Sequence, residues 1–238
     1  MANYRSAKET IDYLLGQLKD TDFFKYLSDV EYTEEMKEKY CNNFYEFYDD
    51  NSLIGFFERG DYSDSIHYAY GASKIVVWDD MCDYVMKISK TDKDDQYCKK
   101  EAEVYDEACK WGAEDAFAWC AEIYPAGVFG NRGIYAMEYV DCNECEINDC
   151  SYDYAFHNYC DNEGLDPTDD EVIDKYNDYF WRYEDDLDTL WDWATDGWSS
   201  YVRWVVYKLI DKFNLNDFHA GNWGFIGNKV VLVDYSGW

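Results

Sequence analysis

The feature that most constrains this chain is its C-terminal stretch, where a polar loop precedes a short hairpin that ends at an acid. The loop has the pattern Asp-x-His-x-x-Asn, formed by Asp217, His219 and Asn222. The apolar, β-branched run before Asp234 predicts a strand, because such residues suit a pleated, half-buried surface. A Gly-Asn pair ahead of that run predicts a tight turn. The stretch therefore predicts a loop, a hairpin, and an acid just past a buried strand.

These polar residues suggest a magnesium site. Asn222 and Asp234 can share a divalent ion, because Mg²⁺ prefers carboxylate and amide oxygens and usually adds phosphate oxygens. Asp217 is then available to orient a hydroxyl. The alternative is a buried hairpin with solvated acids. The pattern resembles the catalytic loop and metal-binding strand of the protein kinase-like fold, most of all the aminoglycoside phosphotransferase and bacterial or phage kinase-like branch.

The segments that follow residue 65 have the order of a kinase N-lobe. Residues 66–70 and 74–78 predict two strands, with a turn of small residues between them. The turn resembles the phosphate-covering loop of kinases, since small residues let backbone N–H groups approach phosphate oxygens. An ordinary hairpin has the same pattern. The resemblance implies a phosphate-binding turn at Gly71, Ala72 and Ser73.

A lysine lies in the middle of the next predicted strand. Lys87 is flanked by apolar residues, and burying an ammonium without a partner is costly. Its position resembles that of the kinase lysine that holds the α and β phosphates. The alternative is an edge-strand lysine that reaches solvent. The resemblance makes Lys87 a phosphate-binding residue.

A helix is predicted over residues 96–111, and kinases place there a glutamate that pairs with the lysine. Glu101 lies beside the apolar face of this helix. Glu103 lies about 200° around the helix, at roughly 100° per residue, and points away. Glu107 is a third acid on the same helix. We expect Glu101 to be the partner, with Glu103 as the second choice.

Residues 118–124 and 133–140 predict two further strands, joined by a turn that opens at Pro125. The second strand resembles the one that leads into the kinase hinge, which carries the adenine pocket. The alternative is an ordinary buried strand. The resemblance implies that the nucleotide base contacts Met137 and the backbone of Glu138, Tyr139 and Val140.

The cysteines permit two interpretations. We expect the nine cysteines to be reduced, because the N-terminus has no apolar signal core. However, five thiol or imidazole groups fall between residues 142 and 160, and a C-x-x-C pair is the usual first half of a zinc site. The spacing of the remaining groups matches no common zinc finger, so free cysteines are the alternative. The candidate zinc ligands are Cys142, Cys145, Cys150, His157 and Cys160.

The charge limits the possible partners. The chain has 51 acids and 21 bases, a net charge of −30, which excludes direct nucleic-acid binding through a basic surface. Residues 141–200 contain nineteen acids and two bases. This surface is either a solubilising, self-repelling one or a nucleic-acid mimic that occupies the basic groove of a nucleic-acid-binding protein.

Together these features predict an α+β, two-lobed kinase-like fold in a cytoplasmic protein without a membrane span. Residues 1–65 are expected to form a helical extension, since the apolar positions of 11–18 share one face and Thr33 can cap a second helix, whose apolar side is continued by Cys41, Phe44, Tyr45 and Tyr48. Residues 66–140 would form the N-lobe with a small antiparallel sheet. Residues 141–238 would form a minimal helical C-lobe, because the chain continues for only four residues after Asp234.

The predicted function is ATP- and Mg²⁺-dependent phosphoryl transfer to a hydroxyl of an unidentified acceptor. The predicted catalytic residues are Asp217, Asn222, Asp234, Lys87 and Glu101. The alternative is a catalytically inactive, kinase-like acidic protein, for example one encoded by a phage, that inhibits a nucleic-acid-binding or host-defence protein. The shortened C-lobe and the single glycine in the turn favour that alternative, whereas the joint presence of the five polar residues favours the enzyme.

Overall fold

The computed structural model describes residues 2–60, 62–111, 119–180 and 187–235 and has a mixed α+β fold. The chain divides into two compact units, which are described separately. The first unit comprises Met1–Asp106 and Ala121–Tyr139, and the second comprises Glu107–Cys120 and Val140–Trp238. The second unit therefore has two segments. The longer one begins at Val140, next to the predicted boundary at residue 141, and the shorter one covers residues 107–120.

The first unit contains an antiparallel sheet. Its strands are β1 (Ile66–Tyr70), β2 (Lys74–Asp79), β3 (Tyr84–Ser89), β4 (Ile123–Phe129) and β5 (Arg132–Glu138), and their spatial order is β1-β2-β3-β5-β4. The small antiparallel sheet expected from the sequence is confirmed, and the three strands predicted between residues 66 and 88 are placed correctly to within one residue. The predicted helix over 96–111 is also present, as α5 (Asp95–Lys110).

The two faces of this sheet have different chemistry, because successive side chains in a strand point to opposite sides. One face is apolar and buried in the main core, with Ile75, Met86 and Ala136 among its residues. The register sets Lys87 opposite Val76 on β2 and Tyr135 on β5. Lys87 therefore lies on the face opposite that core.

The N-terminal helices pack on the apolar face of the sheet. In α1 (Ala2–Leu18), the predicted apolar positions Ile11, Leu14 and Leu18 are buried and belong to the same core as the strands. Phe56 and Phe57 of α4 (Leu53–Arg59) join that core. The segment expected to be an extension is therefore part of the first unit's hydrophobic core.

The second predicted helix ends earlier than expected. Thr33 caps α2 (Glu34–Lys39) as predicted, since its side chain accepts a hydrogen bond from the Met36 N–H. The apolar side does not continue into one long helix, because Cys41 and Asn42 have positive φ angles of 50° and 62°. A separate helix, α3 (Phe44–Asn51), follows with its own N-cap at Asn43.

The turn predicted at Pro125 is wrong. Pro125 lies within β4, where the pairing with β5 shifts between Pro125 and Gly127. A proline lacks the N–H that a ladder needs, so it is tolerated at a bulge. The turn instead follows Phe129, and its Gly130 has a φ of +60°. The other expected strand starts at Ile123 rather than at residue 118, which lies outside the described residues.

One hydrogen bond joins α1 to the sheet and makes the stability of the first unit sensitive to pH. Tyr13 donates to Asp79 Oδ2 at 3.0 Å, and the Met81 N–H donates to Oδ1 at 3.0 Å. The Met81 amide, followed by the Tyr13 hydroxyl, holds the pKa of Asp79 below its usual range. A carboxyl with a lowered pKa stabilises the fold above its unfolded pKa of about 4, and this contribution is lost as the pH falls through the folded pKa.

We therefore expect Asp79→Asn to lower the free energy of unfolding by about 1–2 kcal/mol at neutral pH. The difference from wild type should shrink as the pH falls from about 4, the unfolded pKa, through the lowered pKa of folded Asp79, below which the wild-type carboxyl is also neutral. Urea unfolding at a series of pH values measures this, with the exposed Asp64→Asn as the matched control. A deficit that stays constant with pH would show that the charge of Asp79 is not responsible.

The second unit combines helices with one hairpin. Strands β6 (Trp223–Ile226) and β7 (Lys229–Leu232) pair antiparallel, as the sequence predicts, and the turn residue Gly227 has a φ of +60°. In the described ranges, no helix has the length and apolar character that crossing a bilayer requires. The helices are α6 (Glu144–Glu163), α7 (Asp170–Phe180), α8 (Leu187–Thr195) and α9 (Ser200–Phe213).

Asp169, and not the adjacent Thr168, caps the start of α7. Asp169 accepts the Glu171 N–H at 2.9 Å, whereas the Thr168 hydroxyl donates to Asp166 at 2.7 Å. An aspartate side chain caps a helix as well as a threonine does, so the adjacent acid takes this position at the start of α7.

Candidate functional site

In the first unit, Lys87 and Glu101 form a buried ion pair. Lys87 Nζ lies 2.7 Å from Glu101 Oε2, and the side chains are 4% and 0% exposed. Glu101 is thus the partner that the helix periodicity favoured. Glu103 instead points outward and lies 3.9 Å from Lys99. Since a buried charge is stable only when it is paired, this contact fixes the geometry of both residues.

A second lysine contacts the same glutamate. Lys74 Nζ lies 2.5 Å from Glu101 Oε1, and the Lys74 side chain is 5% exposed. Sequence reasoning missed Lys74 because it treated this residue only as the start of a strand. Alternation places Lys74 and Val76 on the same face of β2, but that Val76 lies opposite Lys87 depends on the register between the two strands. Each oxygen of Glu101 therefore contacts one ammonium.

Two groups beside this trio, the Cys98 thiol and the Tyr135 hydroxyl, hold their protons at neutral pH. Burial raises the pKa of the Cys98 thiol to about 12, and the charge of Glu101 adds to the effect. Burial also raises the pKa of Tyr135, which lies opposite Lys87. Met137 places its sulfur 3.6 Å from Lys87 Nζ. Cys98, Tyr135 and Met137 are therefore neutral neighbours of the trio.

The turn of small residues directly precedes Lys74. Gly71 and Ala72 are exposed and Ser73 is buried. The Gly71 N–H donates to the Lys74 carbonyl at 3.1 Å, and the Ser73 carbonyl accepts from the Lys90 N–H at 2.9 Å. The expectation that Gly71 offers its amide to a phosphate is thus not met, because that amide closes the turn.

The residues expected to bind a nucleotide base lie at the end of β5. Met137 is buried there, beside Lys87. The Glu138 N–H donates to the Glu122 carbonyl and the Tyr139 N–H to the Asp83 carbonyl, both at 2.8 Å. These two amides are therefore engaged within the first unit and do not serve a base as donors. Val140 is the first residue of this segment in the second unit.

In the second unit, the Asp-x-His-x-x-Asn loop is held by its own hydrogen bonds. Asn222 is buried, and its Nδ2 donates to the Asp217 carbonyl at 3.0 Å. His219 Nδ1 accepts the Gly221 N–H at 3.1 Å, so a neutral ring carries its proton on Nε2, which lies 3.5 Å from Asp217 Oδ1. His219 thus braces the loop.

The hairpin brings Asn222 and Asp234 to the same end of the two strands. Trp223 lies opposite Leu232, and the Val233 N–H donates to the Asn222 carbonyl at 2.8 Å. Asp234 is the next residue and is half-buried. The arrangement therefore follows from the register of the predicted hairpin.

Asn222 and Asp234 are the residues that could hold a magnesium ion. The Asn222 Nδ2 donates to the Asp217 carbonyl, which orients the side-chain amide, and amide oxygens such as its Oδ1 are ligands that Mg²⁺ accepts. Within the described ranges, no group of three or more His, Cys, Asp or Glu side chains could hold a metal. A Mg²⁺ ion at Asn222 and Asp234 would thus complete its shell with water and phosphate oxygens, as this ion commonly does.

Among the candidate zinc ligands whose side chains the structure describes, those on α6 do not converge. Cys150, His157 and Cys160 lie on the single helix α6, and at 1.5 Å per residue Cys150 and Cys160 are about 15 Å apart along its axis. Cys160 is buried against Phe156, whereas His157 is exposed and contacts the Asp153 carbonyl. Cys142 precedes the helix and is exposed, and the side chain of Cys145 lies outside the described residues.

The acids of the second unit form a solvent-facing surface on α6, α7 and the segment between them. Because these acids are exposed to water, the repulsion between their like charges is reduced. Their exposure agrees with both interpretations of the acidic segment, a solubilising surface and a nucleic-acid mimic. The exposed acids are Glu146, Asp149, Asp153, Asp161, Glu163, Asp166, Asp169, Asp170, Glu171 and Asp174.

Comparisons with family models, curated proteins and solved structures gave no match to this chain. Its function is therefore argued from the geometry and chemistry of these residues alone.

Proposed function

We propose that this chain is an ATP-dependent phosphotransferase with a two-lobed kinase-like fold, which transfers the γ-phosphoryl group to a hydroxyl. The observation that carries the proposal is the fully buried ion pair of Lys87 and Glu101 between β3 and α5. Kinases hold the nucleotide phosphates with a lysine that a helix glutamate positions in this way. The order of the remaining motifs along the chain supports the same assignment.

The proposed mechanism gives each residue one task. Lys87, positioned by Glu101, binds phosphate oxygens. Asp217 orients the acceptor hydroxyl and takes its proton as the hydroxyl oxygen bonds to the γ-phosphorus and the bond to the β–γ bridging oxygen breaks, which releases ADP. Asn222 and Asp234 would hold a Mg²⁺ ion, which would neutralise the phosphate charge.

Binding of Mg·ATP tests this proposal. Calorimetry on wild type should show binding that requires Mg²⁺, all the more because the net charge of −30 repels free ATP. Asp234→Asn should weaken the binding at least about tenfold, since it removes a charged ligand of the metal. Asp217→Ala is the matched control from the same hairpin region. It should keep nucleotide binding but lose phosphoryl release to water, followed with γ-labelled ATP.

If the wild-type protein binds no nucleotide at millimolar concentration, with or without Mg²⁺, the proposed phosphotransferase function is refuted. It would favour the second candidate function, in which the exposed acids of α6 and α7 occupy the basic groove of a nucleic-acid-binding protein. That function requires no nucleotide and none of the buried ion pairs.

A further inference from the structure

We propose that Lys74 is a second phosphate-binding residue, so that two lysines on neighbouring strands hold the phosphates of one nucleotide. The inference rests on the proposed phosphotransferase function and adds a residue to it. The resemblance to kinases assigns this task to Lys87 alone.

Glu101 is shared between Lys74 and Lys87. Its two oxygens contact Lys74 and Lys87 at 2.5 and 2.7 Å, so one carboxylate positions two ammonium groups from adjacent strands. An ammonium carries three N–H donors. Pairing with Glu101 and contact with a phosphate oxygen are therefore compatible in each lysine.

The position of Lys74 in the chain also suits a phosphate. It is the first residue of β2 and directly follows the turn of small residues at 71–73. Because the Gly71 amide closes that turn, the adjacent lysine side chain, and not this amide, is the donor placed to contact a phosphate. Apolar residues of similar size usually serve stability at least as well as a buried ion pair does. The buried lysine therefore suggests a ligand that needs it.

Further lysines lie near Lys74, in a chain with a net charge of −30. The Lys90 amide donates to the Ser73 carbonyl, and the Lys90 Nζ lies 4.8 Å from the centre of the Tyr70 ring. The pKa of Lys100 is lowered by burial and by the charge of Lys74. Although Glu101 and Asp94 offset part of this charge, a group of lysines within an acidic molecule suits a ligand with several negative charges, and a nucleoside triphosphate is such a ligand.

Nucleotides with different numbers of phosphates test the inference. Wild type, Lys74→Met and the exposed control Lys99→Met would be titrated with Mg·ATP, Mg·ADP and AMP. We expect Lys74→Met to lose at least about tenfold in ATP affinity while AMP affinity stays within about twofold. Lys99→Met should bind all three as wild type does. A Lys74→Met protein with the wild-type ratio of ATP to AMP affinity would overturn the inference, because a merely structural lysine affects all ligands equally.

A labelling experiment on wild type keeps the test valid if the variant does not fold. An acyl phosphate of ATP transfers its acyl group from phosphate to a nearby lysine amine, which forms an amide and releases ATP. Mass spectrometry should find Lys74 acylated as well as Lys87, and an excess of Mg·ATP should prevent both reactions. Acylation of Lys87 without Lys74 would also overturn the inference.

Inorganic tripolyphosphate separates this inference from the proposed function. If wild type binds no nucleotide, the phosphotransferase is refuted. Tripolyphosphate binding that Lys74→Met weakens at least about tenfold would then still support a two-lysine polyphosphate site. Tripolyphosphate binding that is absent, or equal in wild type and Lys74→Met, would refute that site as well.

Discussion

Glu101→Gln is expected to lower the free energy of unfolding by about 3–5 kcal/mol and to abolish Mg·ATP binding. The glutamine keeps the size of the side chain but removes the charge that Lys74 and Lys87 contact at 2.5 and 2.7 Å. Two ammonium groups would then lie close together without the carboxylate between them. Because their repulsion is weakly screened in the interior, the cost should exceed that of losing an ordinary hydrogen bond.

The measurement is chemical denaturation of the variant beside Glu103→Gln, which removes an exposed acid from the same helix and should change stability by no more than about 0.5 kcal/mol. A triple variant, Lys74→Met, Lys87→Met and Glu101→Leu, distinguishes charge from packing. Replacing a whole buried ion cluster by apolar residues of similar volume is often neutral. The triple variant should therefore regain most of the lost stability without regaining nucleotide binding. A Glu101→Gln protein as stable as wild type would contradict the argument.

The parts of the first unit that could be predicted are those set by local periodicity. The strands around Lys87 and the choice of Glu101 over Glu103 follow from alternation and from the angle per residue of a helix. The contact of Lys74 with Glu101 depends on the register between two strands and on the placement of α5, neither of which a local pattern contains. Long-range pairing therefore explains why one lysine was found and the other was not.

The errors have a common physical cause, which is competition between local signals. Asn43 caps a new helix and ends the apolar pattern that seemed to run on from α2. Pro125 acts as a bulge residue inside a strand rather than as the start of a turn. In each case the residue is compatible with two structures, and tertiary packing selects one.

The loop and hairpin of the second unit were the easiest part of the candidate site to predict, and they depend on a glycine whose role the sequence did not reveal. A Cβ added at Gly224 in β6 would lie 2.6 Å from the Asp141 carbonyl oxygen and 2.5 Å from Val140 Cγ1. Asp141 and Phe225 exchange two backbone hydrogen bonds of 3.1 and 2.9 Å. The strand therefore cannot retreat from Asp141 without losing them.

We expect Gly224→Ala to lower the free energy of unfolding by about 3 kcal/mol, through overpacking and the loss of these hydrogen bonds. Gly197→Ala is the matched control, because a Cβ at that position meets nothing within 4 Å. Since Asn222 lies two residues before Gly224, the displaced strand should also weaken Mg·ATP binding in the variant that still folds.

A double variant identifies which contact is responsible. Adding Val140→Ala to Gly224→Ala removes the clash with Cγ1 but leaves the one with the Asp141 carbonyl, so stability should recover only in part. Full recovery would assign the close approach to the flexible side chain, and the backbone pairing of Asp141 with Phe225 would then not be what fixes the position of Asn222. Denaturation curves of wild type, Gly224→Ala, Gly197→Ala and the double variant, with calorimetric titration of Mg·ATP into each, decide between these outcomes.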